Sequence, residues 1–534
     1  MKRNPAPLYN QTFDLLVCGG GVYGAWTAYD AALRGLKVAL IDQGDWGSAT
    51  SSASSKLIHG GLRYLEQFEF KLVRKTLSER EMLMRVAPHR VWPLRFGVPV
   101  YAHSRVGLLR MKLGLMLYDF LAAGQRTAMR HRFFNRLHFS ERFPWLNNQS
   151  LKGGFTYADA QTDDARLVLE LVNGAMDAGA VCVNYCRLTS LRENEGRAAG
   201  ANVHDLLTNS EHEIHARQIV YAAGHWMAAD SHSKDDCLLT RGIHLIMPGM
   251  RQDEALLLTA QSDGRVFFVI PWYGLTLLGT TDTPYQGPPD QVNVEETEVV
   301  YLLNAVNAYL QTPWTERDII GSFAGVRVLK QDRQDTSTAA PSSVSRDWVL
   351  KTASNGVHYS IGGKLTSARQ DAARIVDRVC TELDIQTPCA TQGRVFPWTP
   401  QLARGMDDNF SDWSEAIQAQ VVQSGVDPES ARWLIRRHGS KTVDILRSIK
   451  QQPVLSRRIL PAAPFIEADL LHCAAEEMVV HLDDLLRRRI PLLILAKLTE
   501  ADLRQIITKI SDILSWDEAR CVQEIVRCRV WLRP

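Results

Sequence analysis

Cysteine is scarce in this 534-residue chain: nine residues, scattered, with Cys182 and Cys186 the nearest pair and no C-x-x-C. An odd count without disulfide or metal-ligand spacing predicts reduced thiols in a cytosolic setting, and no metal site. Long apolar runs are also missing. No window approaches the roughly 18 uninterrupted apolar residues of a spanning helix, so the chain is not expected to cross a membrane. No apolar stretch of signal-peptide length follows the basic start Met1-Lys2-Arg3. A net charge of +2 gives no general case for nucleic acid. Repeats and low-complexity segments are absent. What remains is an ordinary globular composition, 45% hydrophobic and 22% charged, in a chain too long for one core. Two or three domains are expected.

The most informative stretch lies near the start. Phe13 to Cys18 reads as a buried strand, followed by Gly19-Gly20-Gly21-Val22-Tyr23-Gly24, which fits G-x-G-x-x-G. A helical pattern runs to Ala32, Arg34-Gly35 closes it, and Lys37 to Ile41 gives a second strand ending at Asp42. This is a βαβ unit with an acid at the right distance, the context that makes the motif credible. Gly19 would allow the tight turn, Gly21 the approach of backbone N–H groups to a pyrophosphate, and Gly24 close packing of helix on sheet. Asp42 would accept a ribose hydroxyl. Thr50, Ser51, Ser54 and Ser55 then lead into Lys56-Leu57-Ile58-His59-Gly60-Gly61-Leu62-Arg63-Tyr64-Leu65. Small hydroxyl residues and a glycine pair suit backbone lying against phosphates and a flat ring.

The run from Thr50 to Leu65 resembles the signature that follows the fingerprint in the FAD-dependent sn-glycerol-3-phosphate dehydrogenases, the aerobic membrane-associated type. The resemblance extends from Asp14 to the C-terminal helices, with motifs in family order. It implies an α/β fold with a Rossmann-like FAD-binding domain of the glutathione-reductase and D-amino-acid-oxidase type, a β-rich substrate cap, and an all-helical C-terminal domain. The boundaries expected are 1–395 for the oxidoreductase domain and 396–534 for the helical one. FAD-binding segments would fall at about 13–100, 150–235 and 350–385, with the cap at about 236–345. It also implies oxidation of sn-glycerol 3-phosphate to dihydroxyacetone phosphate, with FAD as cofactor, quinone as acceptor, and a place on the inner face of the cytoplasmic membrane. A homodimer is left open. No nucleic-acid partner is implied.

Further along, Phe70 to Ala87 reads as an amphipathic helix. Val106 to Ala123 is the most apolar stretch, bracketed by Arg105, Arg126, Arg130, Arg132 and Arg136. Such a segment either lies in a bilayer interface with its arginines on anionic head groups or is a buried helix with a few solvated charges. Thr162 is the expected N-cap of a helix reaching Ala178. Arg265 to Trp272 and Leu275 to Gly279 form a hairpin pattern about Tyr273-Gly274, part of an antiparallel cap sheet. Beyond a polar connector at 387–401 the pattern is helical, including an uninterrupted helix from Glu500 to Val526. The run Arg487-Arg488-Arg489 is expected on a solvated face, with anionic lipid as the alternative.

Oxidising a secondary alcohol with flavin needs a base for the hydroxyl proton and a fixed position for the carbinol hydrogen. A phosphorylated substrate also needs cations held away from the reacting carbon. By resemblance, Arg241-Gly242-Ile243-His244 matches a K-G-S-H stretch and makes His244 the base, with Ile243 a departure. Thr280 and Thr281, in L-G-T-T-D, would hold phosphate oxygens. Arg327, in G-V-R-V where the family has G-V-R-P, would stabilise developing alkoxide. Arg346 and the pair Arg63 and Tyr64 would clamp the phosphate. Ala223 and Gly224, followed by His225 where many members have proline, would pass against the flavin. Gly362-Gly363-Lys364-Leu365-Thr366 would offer backbone donors to its electron-rich edge, with Lys364 over the substrate. Two alternatives stay open: a flavin dehydrogenase or oxidase of another polyol phosphate or 2-hydroxy acid, and a flavin-binding protein without catalytic duty.

Overall fold

A computed structural model of the protein describes residues 1–122, 129–229, 236–250, 253–330, 348–400 and 406–532; Arg126 and Arg346 lie outside them. Two sheets organise the chain. The first is built on the fingerprint strand Thr12–Cys18, which lies between parallel neighbours Val38–Ile41 and Ser210–Tyr221. Its order runs Val349–Thr352, His358–Ile361, Ser210–Tyr221, Thr12–Cys18, Val38–Ile41, Val181–Val183. Leu15–Cys18 and Val38–Ile41 are apolar and buried because both faces of the sheet are covered there. Helix Val22–Leu33 lies on this sheet at close range. A Cβ on Gly24 would stand 1.8 Å from the Gly19 carbonyl oxygen, so only glycine permits that approach. Helices Asp164–Asp177 and Ala368–Glu382 pack beside it. Asp163, not Thr162, caps the first of these, accepting the Arg166 N–H at 3.3 Å. Thr162 is held as the last residue of strand Leu151–Thr162.

The second sheet is larger than a cap at 236–345 alone. The hairpin Val266–Trp272 and Leu275–Gly279 forms as expected, and its turn residues Tyr273 and Gly274 both carry positive φ, as a two-residue hairpin turn requires. Strand Cys237–Met247 pairs with Leu275–Gly279 on one side and Gly321–Lys330 on the other. The sheet then continues through Ala255–Thr259 into Val91–Tyr101, Leu151–Thr162 and Leu57–Ile58. Ala255–Thr259 meets Val91–Tyr101 in parallel, so the sheet is mixed rather than antiparallel. Val91–Tyr101 is buried along almost its whole length and needs a strand on each side.

The C-terminal region is helical, with helices at Pro428–His438, Thr442–Gln451, Glu467–Glu476, Glu500–Leu514 and Glu518–Cys528 among others. The long helix expected from Glu500 to Val526 breaks at Ser515, which is left-handed, and restarts where Asp517 accepts the Arg520 N–H at 2.7 Å. The arginine run is neither a solvated face nor a lipid contact. Arg488 and Arg489 are buried and both pair with Asp45 of the first sheet's region, while Arg487 stacks 3.6 Å over the Trp531 ring. A buried carboxylate that far along the chain outweighs hydration of the guanidinium groups. The apolar helix at Leu108–Leu121, by contrast, buries only Leu115 and Tyr118.

Candidate active site

A cavity of about 440 Å³ runs from the carboxyl ends of the parallel strands to the underside of the second sheet. One end is the fingerprint. Gly21 opens helix Val22–Leu33 without a side-chain cap, and the Val22 N–H reaches Ser51 Oγ at 2.9 Å. Asp42 accepts from the Gly20 N–H at 2.5 Å and the Gly44 N–H at 2.7 Å. Burial pushes the Asp42 carboxyl up to about 6, against those two donors. A Cβ on Gly20 would strike the Trp46 ring, and Gly20 and Gly24 serve packing rather than lining. Gly224 is the opposite case. Its φ is positive and a Cβ there would meet nothing within 4 Å, so the position opens into the cavity it lines.

The other end is cationic. Arg63, Tyr64, His59, Thr280, Thr281, Arg327 and Lys364 all line the cavity. Lys364 Nζ lies 5.0 Å from the Tyr64 ring centre, and Arg63 Cζ lies 5.9 Å from it. The loop carrying Lys364 is fixed by Tyr23, whose hydroxyl accepts the Lys364 N–H at 3.0 Å and donates to Asp371 at 2.9 Å. A Cβ on Gly363 would come within 1.8 Å of that hydroxyl, at a φ of +101 that already favours glycine. Arg327 is anchored by the Thr280 hydroxyl at 2.9 Å and the Thr281 carbonyl at 3.2 Å, with Asp282 at 3.4 Å. Thr281 spends its own hydroxyl on Glu298 and on the Ile243 N–H, so it braces the sheet.

Several expected residues stand elsewhere. His244 does not line the cavity. It is 1% exposed, stacked on Phe323 at 4.9 Å, with Nε2 at 2.9 Å from Ser55 Oγ. Burial, then the Arg327 and Lys56 charges, hold its ring well below the ordinary imidazole range. Ile243 is fully buried beside it, so that departure from the family does not line the cavity. Lys56 turns away from the cavity to pair with Asp164 at 2.6 Å. Gly60 packs against Tyr118 and Leu77, and its N–H donates to Asp159 at 3.2 Å. Thr50, Ser51, Ser54, Ser55, Ala223, Gly362, Leu365 and Thr366 line the cavity. So do residues with no local signal, among them Arg265, Phe268 and Tyr157, which strand pairing brings in from the second sheet.

Together the glycine-lined groove at a helix N-terminus and the sheet closing over it define a dinucleotide-dependent oxidoreductase. Residues 14–369 match the FAD dependent oxidoreductase family, and residues 403–521 match the C-terminal domain of alpha-glycerophosphate oxidase. The chain belongs to that FAD-dependent family, in its glycerol-3-phosphate dehydrogenase branch. It is 33% identical to a glycerol-3-phosphate dehydrogenase of Synechocystis, over 98% of this chain and 97% of that one. It is also 33% identical to the aerobic glycerol-3-phosphate dehydrogenase of Bacillus subtilis, over 90% and 87%. The solved glycerol-3-phosphate dehydrogenase of Bacillus halodurans, complexed with FAD, superposes with a TM-score of 0.79. It is 26% identical, over 98% of this chain and 95% of that one. FAD is the cofactor, and the cradle described above suits it: open glycine positions, backbone donors at the helix start, and a groove across the strand ends. Among the described residues no helix is long and apolar enough to cross a membrane.

Proposed function

We propose that the protein oxidises sn-glycerol 3-phosphate to dihydroxyacetone phosphate and that its electrons leave to a quinone. The observation that carries this reading is that Arg63, Arg327 and Lys364 line one cavity together with His59 and the Gly362-Gly363 backbone. FAD supplies the hydride acceptor when bound. Arg63 and Lys364, on either side of Tyr64, hold the phosphate and so fix the distance to the reacting carbon. Arg327, immobilised by Thr280 and Thr281, faces the oxygen that gains charge as the carbinol C–H breaks. His59 takes the hydroxyl proton, in place of the role expected of His244. Its backbone is tied to the Thr366 hydroxyl through both N–H and C=O, and its ring stands edge-on to Phe268 at 6.2 Å. The division into an oxidoreductase domain at 1–395 and a helical domain at 396–534 is part of the same reading.

We also infer a peripheral place on the cytoplasmic face of an anionic membrane. Leu109, Leu113, Met116 and Phe120 recur at helical spacing along Leu108–Leu121 and point to solvent, Leu109 at 74% and Phe120 at 78% exposure. Arg110 and Lys112 are exposed among them, the pattern of an interfacial helix.

The chemistry is tested by mixing the FAD-loaded protein anaerobically with sn-glycerol 3-phosphate, and with glycerol and glycerate as controls. Rapid loss of the oxidised flavin absorbance with the phosphate alone is expected. Bleaching by glycerate instead, or by none of the three, would overturn the substrate assignment.

A further inference from the structure

A second cavity, of about 370 Å³, lies between the second sheet and helix Pro428–His438 of the helical region. Its walls include Trp92, Trp272 and Trp433, and two arginines one helical turn apart, Arg432 and Arg436, reach it from the helix. Several buried arginines of this interface are matched with acids. Arg437 pairs with Asp469, Arg166 with Glu477 at 2.7 Å, Arg90 with Glu170 at 2.9 Å, and Arg488 with Asp45 at 2.5 Å. Arg436 is not. Its guanidinium lies over the Trp92 ring at 4.3 Å and the Trp433 ring at 5.2 Å, and among the described residues it makes no ion pair or side-chain hydrogen bond, Asp253 acting on it only from a distance. Burial and the neighbouring Arg432 charge pull it down to about 10, the mark of a cation short of an anion. The indole N–H groups of Trp272 and Trp433 are buried there without a partner among the described residues.

We propose that this cleft binds a small organic monocarboxylate with a flat apolar body, its carboxylate on Arg436 and its body among the tryptophans. A guanidinium is the natural fork for a carboxylate, and aromatic walls take an apolar ring. The acids at the rim are engaged elsewhere, Glu254 with Arg142 at 2.5 Å, Glu429 with Arg458 at 3.0 Å and Asp253 with Arg432 at 3.8 Å. None of them forms an ion pair with Arg436, and as carboxylates lining the same cleft they disfavour a dianion such as a phosphate monoester. The site is not isolated. Lys56 Nζ lies 4.7 Å over the Trp272 ring and also donates to the Ser52 carbonyl, so the floor of the cleft touches the loop that lines the flavin cavity.

The probe is benzoate, with benzamide as its neutral counterpart and inorganic phosphate as the anion without a body. Binding to the FAD-loaded full chain is followed by tryptophan fluorescence and by the shift in Tm. Saturable benzoate binding is expected, with benzamide and phosphate at least about tenfold weaker. Arg436→Met should abolish the Tm shift, and Arg327→Met, in the catalytic cavity, should leave it unchanged. Arg436→Lys, which keeps the charge without the planar fork, should weaken binding several-fold and serves if the methionine variant does not fold. Loss of binding in Arg327→Met but not in the Arg436 variants would place benzoate in the catalytic cavity and overturn the proposal. Equal binding of benzamide, or no saturable binding at all, would overturn it too.

Discussion

A base that removes a hydroxyl proton must stand within hydrogen-bond reach of the substrate. His59 lines the cavity, whereas His244 is reached only through Ser55 Oγ at 2.9 Å. His59→Asn is therefore expected to slow flavin reduction by roughly 10²–10⁴-fold with little change in KM. Ser55→Ala and His244→Asn should each slow it by less than about tenfold. Stopped-flow reduction measures all three, and an equal large loss in Ser55→Ala and His244→Asn would return the proton to His244 through the serine. The sequence could not separate the two histidines, because each sits in a motif and a motif carries no burial. Strand register decides instead: His244 lies opposite Phe323 and Gly279, which turns its ring into the core. The glycine fingerprint was readable because its spacing follows from the strand-turn-helix it opens, with Gly24 packed on the Gly19 carbonyl, and Tyr23 was readable only as part of it. Its grip on the Lys364 loop spans 341 residues.

Elements place these residues, and the loop at 362–364 is the most tightly specified. Gly363→Ala adds a methyl group where the Tyr23 hydroxyl already stands, at a positive φ. The loop must move, and FAD affinity is expected to fall at least about tenfold, since even 1.4 kcal/mol of strain does that. The fluorescence of released FAD on dilution measures it, and unchanged retention would mean that the loop contributes little to holding FAD. The helix Leu108–Leu121 was readable as an apolar element, interfacial or buried, but the choice between the two was not, since its exposure is set by what the rest of the fold leaves uncovered. Replacing Leu109 and Phe120 by Glu removes two side chains worth roughly 1.5–3 kcal/mol each when buried in an apolar phase. Co-sedimentation with anionic vesicles should drop by more than about tenfold while flavin reduction in solution is kept. Unchanged sedimentation would reject this helix as the docking face. The break at Ser515 was hidden for another reason: neither glycine nor proline marks it.

Across the whole molecule, buried ion pairs join the helical region to the flavin-binding sheet. Asp45 meets Arg488 and Arg489 across 443 and 444 residues of chain, a pairing no local pattern could disclose. Asp45→Asn would leave buried Arg489 without its anion and Arg488 with Asp484 at 2.6 Å in place of two acids, and such losses cost about 3–5 kcal/mol. A lower unfolding midpoint in denaturant, with FAD present, is the expected result. Acid should act on the same interior. Burial holds His89, His225, His244, His358, His438 and His472 below the ordinary imidazole range. The folded chain keeps these rings neutral where the unfolded chain protonates them, so stability is lost as pH falls below about 6.5. Asp42, Asp164 and Asp484 work the other way. Burial raises all three, Asp42 and Asp484 to about 6, so the folded state takes up protons there and softens the fall. Six rings against three acids leave up to three protons, each worth about 1.4 kcal/mol per pH unit over the range where it titrates. Against its own burial, Glu170 is held down to about 2 by His89 and Arg90, which extends the loss below about 4.5. Calorimetric Tm of the FAD-loaded protein should therefore decline steeply between pH 6.5 and 5. A flat Tm over that interval would mean that the buried imidazoles are protonated in the folded protein or are reached by water.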